Sequence, residues 1–571
     1  MYKILFYHCN DRLGLDREGI QIYLGVAALY LKTFIDKTNP GISQQLEWLL
    51  PIQRKMSDDE LVSLLNQINP NFFCTSNYIW NHSFIMEQLS RIKTRIPKET
   101  VIISGGPSID VNIDKDFFTK HPYVDYAIYG AGEIAFNDII TSIVTNKKII
   151  ALNTSNCAWF DKRNNKQVVA GYKYVPQLAW SPYLSNENFF TSIIDNEHKN
   201  NVSVILPYDL TRGCPYSCTF CDWSGGFTNK TTRRKGTYKD EIDLFFKLQI
   251  KNLYLSDANV GQYDEDIDMI SYLVEKNIND NAGFKIDGNF SKLRKENNLK
   301  IYHLMAKGNL FTDFAGFTIS VQDINLNVLK NINRPDVGWT VHKKIIRELK
   351  ECYPWINSKV QIIQGLPGQT VVSWRETLGE LSRENLQLAI YISELLPASP
   401  SARDEDYQNK FNFKYSTSLR YSKNDYYRGK FPESCFSFSK ADFVEMTILS
   451  HMYAALTTIK VQWYENFDCE LVVDYFLQTP NYQRLRNNLW TNWNEYDRFF
   501  YTINFDGETK NISACCIFDI ASDWAINTNF ILMTMKAVYK GNSFKTAFKK
   551  MLSKNANGNK FNLKILQGYT A

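Results

Sequence analysis

The chain of 571 residues is defined first by what it lacks. No unbroken apolar run approaches about eighteen residues, so the sequence predicts no membrane-spanning helix and no membrane partner. Lysine and arginine number 65 against 60 acidic residues, and no basic block stands out, which argues against nucleic acid as a partner. The opening residues 1–7 predict a first strand rather than a secretory leader. The odd count of 11 cysteines then fits a reducing, cytoplasmic location better than a disulfide framework.

The cysteines are scattered except in one short loop. Cys214, Cys218 and Cys221 have C-x3-C-x2-C spacing and follow an apolar run, 202–210, that predicts a buried strand. Three thiolates this close can hold three irons of a 4Fe–4S cluster and leave the fourth iron open to a small molecule. A structural zinc site usually needs four ligands, and the sequence has no second C-x2-C or C-x-x-H pair. The spacing therefore favours an iron–sulfur cluster over zinc or disulfides.

Residues 1–145 alternate predicted strands with predicted helices. The predicted strands are Lys3–Cys9, Glu47–Pro51, Asn71–Thr75, Thr100–Ser104 and Tyr123–Tyr129. The apolar periodicity predicts helices over Gly19–Phe34, Asp58–Ile68, His82–Ile96 and from Glu133 to about Val144. Regular alternation of this kind predicts an α/β domain with a parallel, doubly wound sheet.

Two glycine turns follow strands of this first region. Gly105 and Gly106 end the fourth predicted strand, and Gly130 and Gly132 precede Glu133 after the fifth. Glycine at a strand end lets a ligand approach the backbone closely. These four glycines are therefore candidate cofactor-binding residues.

A second series of predicted strands begins near residue 200. Its six members are 202–210, 252–255, 284–286, 316–321, 359–363 and 389–395, with helical segments such as 241–249 and 341–352 between them. Polar residues follow most of these strands. In α/β barrels the carboxyl ends of the strands form the active site, so the pattern predicts a barrel whose chemistry lies at those ends.

The cysteine spacing, with Phe220 directly before Cys221, resembles the radical S-adenosylmethionine (radical SAM) superfamily. The resemblance implies that the amino and carboxylate groups of SAM occupy the open iron, and that reductive cleavage yields a 5′-deoxyadenosyl radical. It also implies a reducing partner such as flavodoxin or ferredoxin. Phe220 is then a candidate cofactor-binding residue beside the cluster.

Further matches to this superfamily occur along residues 200–400. Asp257 and Asn259 occupy the second-strand end, where relatives bind the SAM amine. Ser320 and Gln322 resemble the fourth-strand signature, and the trailing Arg334 resembles an arginine that often lies near the SAM carboxylate. A guanidinium fork suits a carboxylate because it donates two parallel hydrogen bonds.

The fifth-strand turn is also similar to that of radical SAM enzymes. Gly365 and Pro367 belong to a turn that, by this resemblance, packs beside the adenine of SAM. The matches together imply a partial (β/α)6 TIM-type barrel.

The order of residues 1–145 resembles the cobalamin (B12)-binding domain that precedes the barrel in many radical SAM enzymes. One departure is that the Asp-x-His-x-x-Gly loop, which supplies a cobalt-ligating histidine in many such domains, is missing after the first strand. His8 lies on that strand itself, which favours a packed histidine. Two alternatives stay open here: cobalamin binds without a histidine ligand, or the domain has kept the fold and lost the cofactor.

The predicted architecture has four parts. Residues 1–150 form a Rossmann-like, cobalamin-binding-type domain, 151–200 a hairpin-rich connector, 201–400 the radical SAM partial barrel, and 401–571 an α-rich C-terminal domain that holds substrate.

The reaction is the least determined part of the prediction. Short stretches such as 221–223 and 257–261 look most like members that modify ribosomally made peptides, including radical SAM epimerases. A peptide substrate and L-to-D epimerisation are therefore the first expectation. A thiol can return hydrogen to the substrate radical, which makes Cys435, Cys469 and Cys352 candidate catalytic residues. Alternatively, these cysteines have no catalytic role and are buried as small apolar side chains.

Two other functions stay open from the sequence. The first is cobalamin-dependent C-methylation, and the second is a non-catalytic binding protein with a relic cluster loop. The intact cysteine triad and the polar strand ends argue against the relic.

Overall fold

A computed structural model describes residues 1–10, 14–16, 19–109, 111, 114–146, 154–224, 230–290, 295–312, 316–334, 338–384, 386–396, 399–422, 425–462, 468–478, 482–483, 500–505 and 508–513. Cys515 and Cys516 lie outside the described residues.

The strands of the described residues have the following bounds. They are β1 Tyr2–Tyr7, β2 Gly14–Asp16, β3 Gly19–Tyr23, β4 Leu46–Trp48, β5 Phe72–Ser76, β6 Val101–Gly105, β7 Tyr126–Ile128, β8 Cys157–Asp161, β9 Lys166–Val169, β10 Val202–Tyr208, β11 Thr211–Arg212, β12 Thr232–Arg233, β13 Asn252–Val260, β14 Lys285–Phe290, β15 Phe317–Gln322, β16 Ser358–Gln364, β17 Gln387–Ile392, β18 Lys414–Ser422, β19 Asp425–Ser434, β20 Phe500–Phe505 and β21 Glu508–Ser513.

The helices of the described residues have the following bounds. They are α1 Ala27–Thr38, α2 Pro40–Ser43, α3 Asp58–Ile68, α4 His82–Ile92, α5 Phe117–Lys120, α6 Glu133–Val144, α7 Pro182–Ser185, α8 Glu187–Lys199, α9 Tyr238–Lys247, α10 Glu265–Asn279, α11 Lys295–Lys307, α12 Leu326–Asn331, α13 Trp339–Cys352, α14 Val371–Arg383, α15 Pro400–Arg403, α16 Glu405–Lys410, α17 Lys440–Gln462 and α18 Cys469–Leu477.

The chain divides into two compact units. The first comprises Met1–Thr312, Leu396–Asp404 and Asn424–Tyr427, and the second comprises Asp313–Leu395, Glu405–Lys423 and Arg428–Ala571. The first unit therefore contains both the predicted N-terminal domain and the first half of the predicted barrel. The domain boundaries expected from the sequence stay a prediction.

The N-terminal sheet of the first unit has the strand order β4-β1-β5-β6-β7-β8-β9. Strands β4, β1, β5, β6 and β7 pair in parallel, and the hairpin β8–β9 adds two antiparallel strands at one edge. The parallel part follows the doubly wound order 2-1-3-4-5, in which the order reverses between β1 and β5. The connector was predicted to be rich in hairpins, and β8–β9 is the hairpin found there.

The residues of β1 explain why this sheet is covered on both faces. Ile4 and Phe6 pack into one core with helices α1 and α6, and Leu5 and Tyr7 pack into another with α3 and α4. Alternate side chains of a strand point to opposite faces, so an uninterrupted apolar strand needs cover on both sides.

The second sheet of the first unit has the order β14-β13-β10-β3-β2. Strand β10 pairs in parallel with β13 on one side and β3 on the other. The prediction of one helix over Gly19–Phe34 is therefore wrong in its first part, because 19–23 is a strand and α1 begins only at Ala27. Isoleucines that alternate with Gln21 suit a strand, and β10 supplies the backbone partners that this strand needs.

The second unit contains the parallel sheet β15-β16-β17, the two-stranded sheets β18-β19 and β20-β21, and the long helix α17. Its core contains Ile362 of β16, Trp374 of α14 and Tyr453 of α17. All six strands predicted for the barrel are present, as β10, β13, β14, β15, β16 and β17. Across the described part of the chain, no helix combines the length and apolar character that a membrane crossing requires.

Candidate active site

The segment that leads into the cysteine loop is held by the carboxylate of Asp257. Its oxygens accept hydrogen bonds from the backbone amides of Leu210, at 3.1 Å, and Thr211, at 2.7 Å. Burial, then the neighbouring charges of Asp209 and Asp266, raise the pKa of Asp257 to about 7, while the two amide donors act in the opposite direction. The structure therefore uses Asp257 to fix the start of the loop. Its predicted role at the SAM amine stays a prediction.

The backbone just before the first cysteine requires glycine. Gly213 has a φ of +95°, and a Cβ at this position would lie 2.1 Å from the carbonyl oxygen of Lys230. Strand β11 pairs antiparallel with β12, which brings these two segments together. The side chain of Arg233 strengthens this hairpin because it donates to Thr211 Oγ1 at 2.8 Å and pairs with Asp266 at 2.7 Å.

The three cysteines share one tight loop. Cys214 and Cys218 are buried, Cys221 is partly buried, and none of the three forms a disulfide bond within the described residues. The backbone amide of Cys221 donates to the carbonyl of Cys218 at 3.2 Å, and the Thr219 carbonyl accepts from the amide of Ser401 at 2.8 Å. The predicted Phe220 lies partly buried in the same turn.

The turn places the three thiols on one loop. In the part of the chain that the structure describes, no group of three or more His, Cys, Asp or Glu side chains is arranged so that it could hold a metal ion. Three thiolates from one loop nevertheless fit the donor set of a 4Fe–4S cluster with one open iron.

Asn259 meets the first cysteine directly. Its Nδ2 donates to Cys214 Sγ at 3.1 Å, and the exposed fraction of each residue is 6%. The other amide atom, Oδ1, is buried and has no hydrogen-bond partner within the described residues. Asn259, which the sequence predicts to bind SAM, thus contacts Cys214, a predicted cluster ligand, through its side chain.

A residue missed by the sequence analysis, Arg212, ties this loop to the N-terminal sheet. Its Nη2 lies 2.7 Å from Oε1 of Glu133, the first residue of α6. Burial by itself would lower the pKa of Arg212, but the Glu133 carboxylate more than offsets this and holds the pKa above its ordinary value. Glu133 belongs to the predicted glycine turn, and no local signal connects that turn with residue 212.

The carboxyl ends of β1 and β5 meet where the strand order reverses, the usual place for a ligand in such sheets. His8 Nδ1 lies 2.9 Å from Ser76 Oγ, and Asn81 Nδ2 donates to the carbonyls of His8 and Ser76. Burial lowers the pKa of His8 to about 4, so its imidazole is neutral near pH 7. A Cβ at Gly25 would lie 2.1 Å from His8 Cγ. His8 is thus the packed histidine that its position on the strand favours.

The four predicted glycines lie along this same edge. Gly106 has a φ of +117°, and a Cβ there would lie 2.4 Å from the carbonyl oxygen of Asn77. Gly130 also has a positive φ, of 68°, whereas Gly105 and Gly132 leave more room. The close approach at Gly106 is therefore to the neighbouring backbone of this chain.

In the second unit, the structure brings Arg334 and Ser320 together. The buried guanidinium of Arg334 donates to the backbone carbonyl of Ser320, whose hydroxyl donates to Gln361. Gln322 ends β15 with a φ of +66°, next to a shift in the register with β16. This irregular strand end is where the sequence predicts part of the SAM site.

The turn after β16 is shaped by a side chain that the prediction did not single out. Gln369 Oε1 accepts from the amides of Gly365, at 2.7 Å, and Leu366, at 3.0 Å, while its Nε2 donates to Asp323 at 2.6 Å. The Pro367 carbonyl accepts from Asn331 Nδ2 at 2.9 Å. Gln369 therefore fixes the backbone at Gly365, and Asn331 fixes it at Pro367.

The three predicted hydrogen-donating cysteines have different surroundings. Cys435 and Cys469 belong to the hydrophobic core of the second unit, and Cys352 is exposed at the end of α13. Cys435 Sγ lies 3.2 Å from Ser437 Oγ. Burial of the first two agrees with the structural alternative that the sequence left open, and their catalytic role stays a prediction.

Sequence comparison identifies a known domain and two related proteins. Residues 208–381 match the radical SAM superfamily. The chain is 27% identical over 341 residues to the cobalamin-dependent radical SAM methyltransferase TokK of Streptomyces tokunonensis, covering 58% of this chain and 48% of TokK. It is 24% identical over 384 residues to the 2-(S-pantetheinyl)-carbapenam-3-carboxylate methyltransferase of Streptantibioticus cattleyicolor, covering 66% of this chain and 54% of that protein. The chain thus spans about half the length of these curated relatives.

Solved structures resemble the fold. The cobalamin-dependent SAM radical enzyme OxsB, with aqua-cobalamin and SAM bound, aligns with a TM-score of 0.56 at 13% identity, covering 98% of this chain and 84% of OxsB. The radical SAM methyltransferase TsrM from Kitasatospora setae aligns with a TM-score of 0.53 at 11% identity, covering 80% of this chain and 89% of TsrM. These similarities confirm the predicted α/β class with a cobalamin-binding-type domain followed by a radical SAM barrel.

Proposed function

Because the chain contains a radical SAM domain, whose cofactors are a 4Fe–4S cluster and SAM, we propose that it is a cobalamin-dependent radical SAM methyltransferase. The observation that carries the proposal is the buried pair of Glu133 and Arg212, which ties the carboxyl edge of the doubly wound sheet to the loop of Cys214. The two curated relatives are both named as methyltransferases. The alternative of a relic binding protein has no support in these relatives.

The chain's own residues have distinct tasks in this proposal. Cys214, Cys218 and Cys221 would hold three irons, and Gly213 and Asp257 fix the backbone from which they project. When bound, the cluster and SAM supply a radical that removes hydrogen from an unactivated carbon, and cobalamin supplies a methyl group. The Oδ1 of Asn259, which has no partner in the described residues, fits an N–H of the SAM amine, because a buried acceptor needs a donor.

The N-terminal sheet fits cobalamin held without a histidine ligand. Asn77 Oδ1, at the carboxyl end of β5, is buried and has no hydrogen-bond partner within the described residues. The rim of a corrin carries amide groups, whose N–H donors suit such an acceptor. His8 is packed against Gly25, and its Nε2, like Asn77 Oδ1, is buried without a hydrogen-bond partner in the described residues. The proposed fit of cobalamin to this sheet therefore rests on the strand order and on Asn77.

Epimerisation of a peptide is the weaker candidate. The curated relatives favour methyl transfer, and the burial of Cys435 and Cys469 in a hydrophobic core gives no separate support for hydrogen donation. The peptide nature of the substrate stays a prediction.

The test uses the whole enzyme purified without oxygen from cells supplied with cobalamin. The proposal expects iron and cobalamin in the purified protein, measured by metal analysis and visible absorption. With a reductant and SAM labelled with deuterium in its methyl group, a product from a small-molecule extract should carry the labelled methyl. Protein that holds iron but no cobalamin would contradict methyl transfer. In a parallel reaction in deuterated water with unlabelled SAM, a product that gains only one solvent deuterium would favour epimerisation.

A further inference from the structure

Strand β13 presents two polar side chains on the same face as its buried apolar ones. Leu253, Leu255, Asp257 and Asn259 are all buried, at alternate positions. Alternate residues of a strand share one face, so Asp257 and Asn259 lie next to each other on the side that meets the cysteine loop. Asp257 holds the backbone at 210–211, and Asn259 reaches the thiol at 214. One strand face therefore positions both the entry to the loop and its first sulfur.

We propose that Asn259 is a hydrogen-bond donor to the Cys214 ligand of the cluster and raises the reduction potential of that cluster. The inference rests on the proposed function, since it needs the cluster that the three cysteines would hold. The geometry that supports it is the 3.1 Å separation of Asn259 Nδ2 and Cys214 Sγ, both buried.

The physical argument concerns the extra electron of the reduced cluster. Reduction adds negative charge to the cluster and its thiolates, and hydrogen bonds to the sulfurs are among the factors that set the potential. An N–H donor stabilises the more negative state, and it does so strongly where water is excluded. Loss of the donor should therefore make the cluster harder to reduce.

The chain offers a matched control in the same region. Asn297 is also buried, and its Nδ2 donates to the Gly261 carbonyl and to Asp264 Oδ1, each at 3.1 Å. It contacts the polypeptide rather than a cysteine. Asn297→Ala therefore removes a nearby buried amide in the same way as Asn259→Ala without removing a donor to sulfur.

The experiment is a redox titration, followed by electron paramagnetic resonance, of full-length protein with its cluster reconstituted and no SAM present. Asn259→Ala and Asn259→Asp should each lower the reduction equilibrium constant about tenfold, which is about 59 mV for a one-electron couple. The shift should be larger for Asp, because it adds negative charge. Asn297→Ala should titrate like the wild type.

Each outcome decides the inference. An unchanged potential in Asn259→Ala, with a full complement of iron, would overturn it. If Asn259→Ala binds no iron, Asn259→Ser, which restores a donor at the same place, should recover the iron. Failure of both variants while Asn297→Ala keeps its iron would assign Asn259 to packing alone. A wild-type protein without a reducible cluster would instead overturn the proposed function, and the inference with it.

Discussion

Glu133 and Arg212 form a buried ion pair with a nitrogen–oxygen distance of 2.7 Å, and their side chains are only 4% and 15% exposed. The pair joins the first turn of α6 to the residue two positions before Cys214. The remaining oxygen of Glu133, Oε2, is buried without a partner in the described residues, so this carboxylate depends on the arginine.

Glu133→Gln should destabilise the protein. Removal of one charge leaves a buried guanidinium uncompensated, which costs about 3–5 kcal/mol. Urea unfolding of the variant measures the loss. Glu187→Gln is the control, because it breaks an exposed pair with Lys247 that contributes about 0–1 kcal/mol. Equal effects of the two variants would contradict a special role for the buried pair.

Gly213→Ala should displace the cysteine loop. The added Cβ would meet the Lys230 carbonyl, and the left-handed backbone adds about 1–2 kcal/mol of strain. Gly236→Ala shares the positive φ, of +75°, but meets nothing within 4 Å, so it isolates the backbone strain. Iron content after anaerobic reconstitution should fall in the first variant and stay near normal in the second. Normal iron in Gly213→Ala would show that the loop tolerates the side chain.

Cys214→Ala, Cys218→Ala and Cys221→Ala should each abolish the brown absorption and the cleavage of SAM. Each thiolate would hold one iron, and loss of one leaves the cluster short of a ligand. Cys352→Ala, at an exposed helix end, is the control for removing a thiol and should keep its iron. Undiminished 5′-deoxyadenosine from any of the three loop variants would refute the assignment.

The stability of the protein should depend on pH through Asp257. Its pKa in the folded state is about 7, against an ordinary value of 3.8, so the folded protein holds an extra proton between those values. The free energy of unfolding contributed by this group therefore falls as the pH rises from 3.8 to about 7, and is constant above. Asn at this position cannot titrate. The difference in unfolding free energy, wild type minus Asp257→Asn, should decrease across that window, and a flat difference would contradict the raised pKa.

Arg334→Gln should weaken SAM binding while the cluster still assembles. Loss of a charge-assisted contact to a carboxylate costs about 1.5–3 kcal/mol, or about ten- to a hundredfold in affinity. Equilibrium binding of SAM to the reconstituted protein measures this loss of affinity. The control is Arg347→Gln, which changes a more exposed arginine paired with Glu384 and should bind SAM normally. Unchanged affinity in Arg334→Gln would remove this residue from the predicted SAM site.

The amino-acid sequence by itself determined the features that depend on local spacing. The C-x3-C-x2-C loop, Asp58–Ile68 as a helix and the six barrel strands follow from short-range patterns of cysteine and apolar residues.

Tertiary structure alone decided which distant residues meet. Residues 19–23 have apolar spacing that suits a helix or a strand, and pairing with β10 selects the strand. Glu133 lies 79 positions from Arg212, and Asn259 lies 45 positions from Cys214. No periodicity in the sequence encodes such contacts, because they arise only when separate strands end at one edge and bury their polar side chains against each other.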